Sequence, residues 1–115
     1  MSVDPQIARM DAANACLKVL DTAFFNALCE PARVQLVRAL VLHGKADIQT
    51  IAADFSQDRS VISRHLHTLE KAGLVVSERS GRQQLFQLNG PQIVERMEAM
   101  LGVMRNLVPI CCPGP

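Results

Sequence analysis

The chain has no apolar run approaching the roughly 20 residues that cross a bilayer. Its first residues, Met1-Ser2-Val3-Asp4-Pro5, carry neither the cationic start nor the apolar core of a secretory leader. Both absences lead to the expectation of a cytoplasmic protein with no membrane partner, in a compartment where thiols stay reduced. No internal repeat, low-complexity tract or flexible linker interrupts the 115 residues, enough for one domain with a modest core. The residues of enzyme chemistry are missing as well. There is no phosphate-cradling Gly loop, no Ser/His/Asp constellation and no pair of positioned carboxylates, and the His and Cys spacing suggests no nucleophile with its base. A non-enzyme without a constitutive cofactor is expected.

Net charge is also scarce, at +1, so charge is informative only by region. Residues 1–58 hold five Lys/Arg against seven Asp/Glu, whereas residues 59–82 hold Arg59, Arg64, Lys71, Arg79 and Arg82 against Glu70 and Glu78. A basic segment inside an acidic chain is the electrostatic footprint that a phosphate backbone requires.

Ile7, Met10, Ala13, Leu17, Leu20, Phe24 and Leu28 recur at steps of three or four, the stripe of a long amphipathic helix with a bend expected near Asp21-Thr22. Pro31 suits the first turn of a second helix, with Val34, Val37, Leu40 and Val41 apolar and His43-Gly44 as its end. Asp47 reads as the N-cap of a short third helix carrying Ile48, Ile51, Ala52 and Phe55 inward. Ser56-Gln57-Asp58 opens a fourth helix that runs to about Ala72 and stops at Gly73. Leu74 to Arg79 and Gln83 to Leu88 form a hairpin around Ser80-Gly81. Asn89-Gly90-Pro91 starts a last helix, closed by Pro109 and followed by the tail Ile110-Cys111-Cys112-Pro113-Gly114-Pro115. The expected class is mainly α (α+β), in the order α-α-α-α-β-β-α, as a single domain over residues 1–115.

The third and fourth helices, joined by a tight polar turn, have the layout of a helix-turn-helix over residues 47–72. At 100° per residue, Ile62, Leu66 and Leu69 fall on one side of the fourth helix, with His65 close by. Ser60, Ser63, Arg64, His67 and Lys71 fall opposite. A polar helix face alone is ordinary. The hairpin over residues 74–88 adds Arg79-Ser80-Gly81-Arg82, two guanidinium groups at the tip of an arm that can enter a minor groove or grip phosphate.

Phe25-Asn26-Ala27-Leu28-Cys29-Glu30-Pro31-Ala32-Arg33, Val61-Ile62-Ser63-Arg64-His65-Leu66 and Leu69-Glu70-Lys71-Ala72-Gly73-Leu74-Val75 resemble the ArsR/SmtB family of metal- and metalloid-responsive repressors. The resemblance covers roughly residues 20–108 and implies a winged helix-turn-helix that reads an imperfect inverted repeat in double-stranded DNA. It implies a homodimer built on the first and last helices, residues 1–28 and 91–108. It also places Gln57, Arg59, Ser60, Ser63, Arg64 and His67 in or near the DNA groove, with Arg79 and Arg82 on the wing. His65, on the packed side, is expected to serve structure.

The family's sensor sites differ among its members. The last helix here offers Glu95 and Glu98 but no His, too little for tetrahedral zinc. The segment Lys45-Ala46-Asp47-Ile48-Gln49-Thr50 lacks the Cys-x-Cys of one arsenic site. What remains is Cys111-Cys112 in the tail over 109–115, with Cys29 or Cys16 as a third thiolate. Soft ions choose such ligands, so As(III) or Sb(III) is the expected inducer. A redox or reactive-sulfur response is the alternative, although Arg38 stands where the second-helix cysteine of such sensors would align. An alternative of another class is a protein-interaction module without DNA, against which the basic segment counts.

Overall fold

The structure is a computed structural model and describes residues 4–20 and 22–112. Asp21 of the expected bend and residues 113–115 of the expected tail lie outside the described residues. The chain divides into two compact units, Ala23–Ile93 and the paired ends Met1–Thr22 with Val94–Pro115.

In the central unit, α2 (Ala23–Ala27) and α3 (Pro31–His43) lead into a two-residue strand β1 (Ala46–Asp47). Next come α4 (Ile48–Ala52), α5 (Arg59–Lys71), β2 (Val75–Ser80) and β3 (Gln83–Leu88), and α6 (Gly90–Cys111) starts after them. Pro31 sits in the first turn of α3, where its missing N–H has no intrahelical acceptor to lose. Asp47 caps α4 by accepting the Thr50 N–H at 2.8 Å. Gly73, at φ +85°, takes the left-handed conformation that ends α5 and turns the chain into β2. Gly81, at φ +64°, does the same at the hairpin tip.

The sheet has the order β1-β3-β2, antiparallel throughout, with Val75 opposite Leu88 and Ser80 opposite Gln83. Phe24, Leu36, Leu40, Ile51, Ile62, Leu66, Leu69, Leu74 and Val75 have almost no exposed surface and form one cluster with Phe86. Every element of this unit except the hairpin tip contributes to that cluster, which is what fixes α5 against α3 and α4.

Three expectations are corrected in detail. The long first helix is two helices, α1 (Pro5–Leu20) and α2. Phe24 and Ala27 of α2 enter the core, while α1 buries no residue, so the two segments answer to different surroundings. The strand β1 is added at the sheet edge, because pairing of Ala46 with Phe86 and Asp47 with Leu85 satisfies backbone groups that two residues of sequence cannot advertise. The last helix does not stop at Pro109. It continues to Cys111, and the Cys112 N–H still donates to Val108 O at 2.8 Å. Proline removes one donor near the helix end, and the amides beyond it retain their acceptors.

In the unit of the two ends, α1 and the later part of α6 carry large apolar side chains that remain uncovered, among them Ile7, Met10, Leu17, Met97, Leu101 and Val108. A groove of about 250 Å³ runs along this unit, lined by Ala8, Ala12 and Ala15 of α1 and Val103, Leu107 and Ile110 of α6. No helix among the described residues is long and apolar enough to cross a membrane.

Leu66 is fully buried at the centre of α5. Leu66→Ala is expected to cost about 3 kcal/mol by removing packed methyl groups and leaving a partly collapsed cavity. Urea unfolding of the reduced protein measures this, and a loss below about 1 kcal/mol would show that α5 is anchored elsewhere.

Candidate nucleic-acid interface and thiol pair

The orientation of α5 follows from its apolar positions. Ile62, Leu66 and Leu69 are all at 0% exposure, which turns the opposite side of the helix to solvent. Ser60, Arg64, His67 and Lys71 are exposed there, Arg59 is exposed at the first turn of the helix, and Ser63 is half-buried at the margin. Gln57 is exposed in the turn that precedes the helix. His65 lies beside the core, where its Nδ1 accepts from Arg33 Nη1 at 3.4 Å. Arginine has no acceptor, so the ring nitrogen supplies the lone pair and its proton sits on Nε2. Arg33 Nε also donates to Ala27 O at 2.6 Å, so one side chain ties the end of α2 to α5.

The hairpin presents Arg79 and Arg82 at its exposed tip. Between it and α5 lies a concave surface of about 380 Å³ lined by Arg59, Ser63, Arg79 and Arg82 together with Asp47, Gln49 and Gln83. Three carboxylates near these cations have other partners. Glu78 accepts from Lys45 Nζ, and Glu70 Oε2 accepts from Ser77 Oγ, which in turn accepts from Gln84 Nε2 at 3.1 Å. Asp47 Oδ2 accepts from Gln83 Nε2 at 3.0 Å. Among the described residues, Arg59, Arg64, Arg79 and Arg82 make no ion pair with a carboxylate. The hydrogen bonds that hold the hairpin to the helix therefore also tie up the acids, and the guanidinium groups stay available for an external anion.

Sequence reasoning did not find these cross-links. Asp47 showed itself only as a helix cap, and its second bond reaches 36 residues along the chain to Gln83. Glu70 reads as one more surface acid until β2 places Ser77 against it. Asp47 is held below the ordinary carboxylate range, chiefly by the Thr50 backbone amide and then by the Thr50 side chain; desolvation opposes them, and the charge of Arg59 adds the smallest lowering.

At the other end of the chain, Cys111 and Cys112 are exposed, with their sulfurs 2.7 Å apart. The hydrogen bond with Cys111 is the main reason the Cys112 thiol is pushed up from the usual cysteine range, helped by desolvation and the neighbouring charge. Cys16 is half-buried in α1, and exposed Cys29 donates its thiol proton to Phe25 O at 3.4 Å. Among the described residues no three His, Cys, Asp or Glu side chains gather as ligands of one ion, so the chain by itself brings two thiols together and not three.

A helix-turn-helix with an arginine-tipped hairpin on a three-stranded sheet is the architecture of a winged-helix DNA reader. Residues 30–77 match the pattern of the bacterial regulatory protein, arsR family. The crystal structure of a possible transcriptional regulator for arsenical resistance is 31% identical, with a TM-score of 0.57 over 72% of this chain and 81% of that one. An ArsR-family regulator designated RHA00566 is 25% identical, with a TM-score of 0.65 over 74% and 91%. An uncharacterised HTH-type transcriptional regulator of Mycobacterium tuberculosis is 28% identical over 77% of this chain and 75% of its own. The chain belongs to the ArsR family and is a DNA-binding transcriptional regulator.

If Arg79 and Arg82 meet phosphates, Arg79→Ala and Arg82→Ala will each flatten the dependence of log affinity on log salt by about 1. Arg64→Ala is expected to lose about 1–3 kcal/mol on the preferred sequence and far less on random DNA. Fluorescence-anisotropy titrations at several salt concentrations separate the two behaviours.

Proposed function

We propose that the chain is a homodimeric repressor that leaves an imperfect inverted-repeat operator when Cys111 and Cys112 capture a trivalent arsenic or antimony compound. The observation that carries the inducer assignment is the exposed thiol pair, with its sulfurs 2.7 Å apart at the end of α6. Adjacent thiolates suit one soft, thiophilic centre. The 31% identical structure described as a possible regulator for arsenical resistance agrees with this choice.

The chemistry sets the stoichiometry. Each As–S bond formed from arsenous acid displaces one hydroxide, which leaves as water with the thiol proton. Two thiols of one chain satisfy a monomethylated arsenical, which carries two exchangeable hydroxides. Arsenite itself has a third position, and Cys16 or Cys29, of the same or of a partner subunit, are the sulfurs open to fill it. Because ligand and DNA act on one dimer, whatever factor the ligand takes from DNA affinity, DNA takes from ligand affinity.

Dimerisation is supported by the uncovered apolar surface of α1 and α6, which includes Leu17, Met97 and Leu101. Large apolar side chains left exposed together on a small protein mark a contact surface. Leu101→Asp should therefore convert the protein to a monomer by light scattering and abolish tight operator binding, since one half-site alone supplies half of the contacts.

The same thiol pair favours a second reading, in which an oxidant or reactive sulfur species joins the two sulfurs. One experiment addresses both. The reduced protein bound to its operator is titrated with arsenite, methylarsenite, antimonite, zinc and peroxide, and the Cys111→Ser, Cys112→Ser double variant is treated in parallel. Arsenicals should release the native protein and leave the double variant bound. Release of that variant by arsenite refutes the site, and release of the native protein by peroxide alone selects the redox reading. Because each thiol proton leaves as water with a displaced hydroxide, and the Cys112 thiol is pushed up and so stays protonated, capture releases no net proton, and the arsenical needed for release at equilibrium should change little from mildly acidic to mildly alkaline pH.

A further inference from the structure

The concave surface between α5 and the wing contains one carboxylate among three arginines. Asp47 lines it beside Arg59, Arg79 and Arg82. Its Oδ1 accepts the Thr50 N–H at 2.8 Å and its Oδ2 accepts from Gln83 Nε2 at 3.0 Å. Gln83 opens β3 directly after Arg82, so this bond grips the root of the wing. Arg59 is the first residue of α5 and close enough for its charge to act on Asp47.

An acid here works against a surface whose purpose is to attract phosphate, because it repels the polyanion from inside the groove. Helix capping does not require the charge, since Asn and Ser cap about as well. The wing tether does not require it either, since an amide oxygen would accept the same bond from Gln83. The effect of the charge then falls on the arginines that share this concavity.

We propose that Asp47 is a specificity-determining residue: it fixes the root of the wing through Gln83, and its charge, set in the same concavity as Arg59, Arg79 and Arg82, weakens sequence-independent attachment to DNA. The inference rests on the DNA-facing reading of this surface. A free guanidinium beside a phosphate backbone binds any sequence. One that shares its concavity with a fixed carboxylate contributes fully only where the DNA presents its phosphates away from that charge. Discrimination is then gained by lowering binding to the wrong sequences more than to the right one.

The test uses the full chain in reduced form, a duplex that it selects from a random-sequence pool, and a scrambled duplex of the same composition. Asp47→Asn keeps the acceptor for Thr50, and the Gln83 amide can turn to meet the new side chain, so the charge alone is removed. At low salt this variant should bind the scrambled duplex about fivefold more tightly and the selected one little changed, so that the ratio falls roughly threefold or more. Gln83→Leu, which cuts the tether and keeps the charge, should weaken the selected duplex and leave the scrambled one unmoved. Equal gains on both duplexes with Asp47→Asn, or no change on either, overturns the proposal. Thermal melts accompany each variant, and if Asp47→Asn does not fold, Asp47→Ser takes its place with the same fall in ratio expected. Arg59→Ala and the Arg79→Ala, Arg82→Ala double variant are measured alongside. If they leave both duplexes bound as before, the DNA-facing reading is what fails; if they weaken binding while Asp47→Asn leaves the ratio intact, only the assignment of Asp47 fails.

Discussion

The roll of α5 about its own axis governs what the rest of the central unit is able to do. Three side chains, Ile62, Leu66 and Leu69, are each completely removed from solvent, and together they define one line along the helix. A helix with 3.6 residues per turn has no freedom left once such a line is fixed. Ser60, Arg64 and His67 must then face outward, and a rotation of even one residue position would bring a charged group into the core at a cost of several kcal/mol. The basic face is therefore a by-product of apolar packing, and its precision is the precision of the core.

Around this helix the polar bonds have a double effect. Glu70, Glu78 and Asp47 each accept a bond from another element, and each is thereby kept from pairing with the exposed arginines. The one ion pair among them, Lys45 with Glu78, is exposed and contributes little to stability. The importance of these bonds lies in geometry, since they hold two strands and a helix at one relative setting. The link through Arg33 to Ala27 and His65 extends the same logic to α2.

Local signals in the sequence were enough for most of the elements, because caps, glycines at positive φ and apolar periodicity act over four or five residues. Asp47, Gly73 and Gly81 announced their turns, and the alternation of Ile62 and Leu66 with Ser63 and Arg64 announced the face. What escaped was whatever depends on residues far apart in the chain. Ala46-Asp47 becomes a strand only because Phe86 and Leu85 are beside it. The bond from Gln83 to Asp47 has no pattern within either segment. The apolar stripe of the first helix continues past Thr22, and periodicity alone does not say which turns of a helix find a core to enter. The Cys111-Cys112 pair was plain in the sequence, but its setting was not, since the proline before it suggested an end that the backbone does not take.

That setting has a mechanical consequence. A helix that passes through Pro109 lacks the amide that would have closed onto the Arg105 carbonyl, so its final turn hangs on fewer bonds than the turns before it. The two sulfurs lie beyond this weak seam. A bridging atom that demands its own bond angles will distort the terminal turn first, and the intact helix upstream will feel the disturbance only as far as the seam transmits it. Under the proposed capture, Pro109 would set how much of a rearrangement at the thiols reaches the remainder of α6 and how much is absorbed in the last turn.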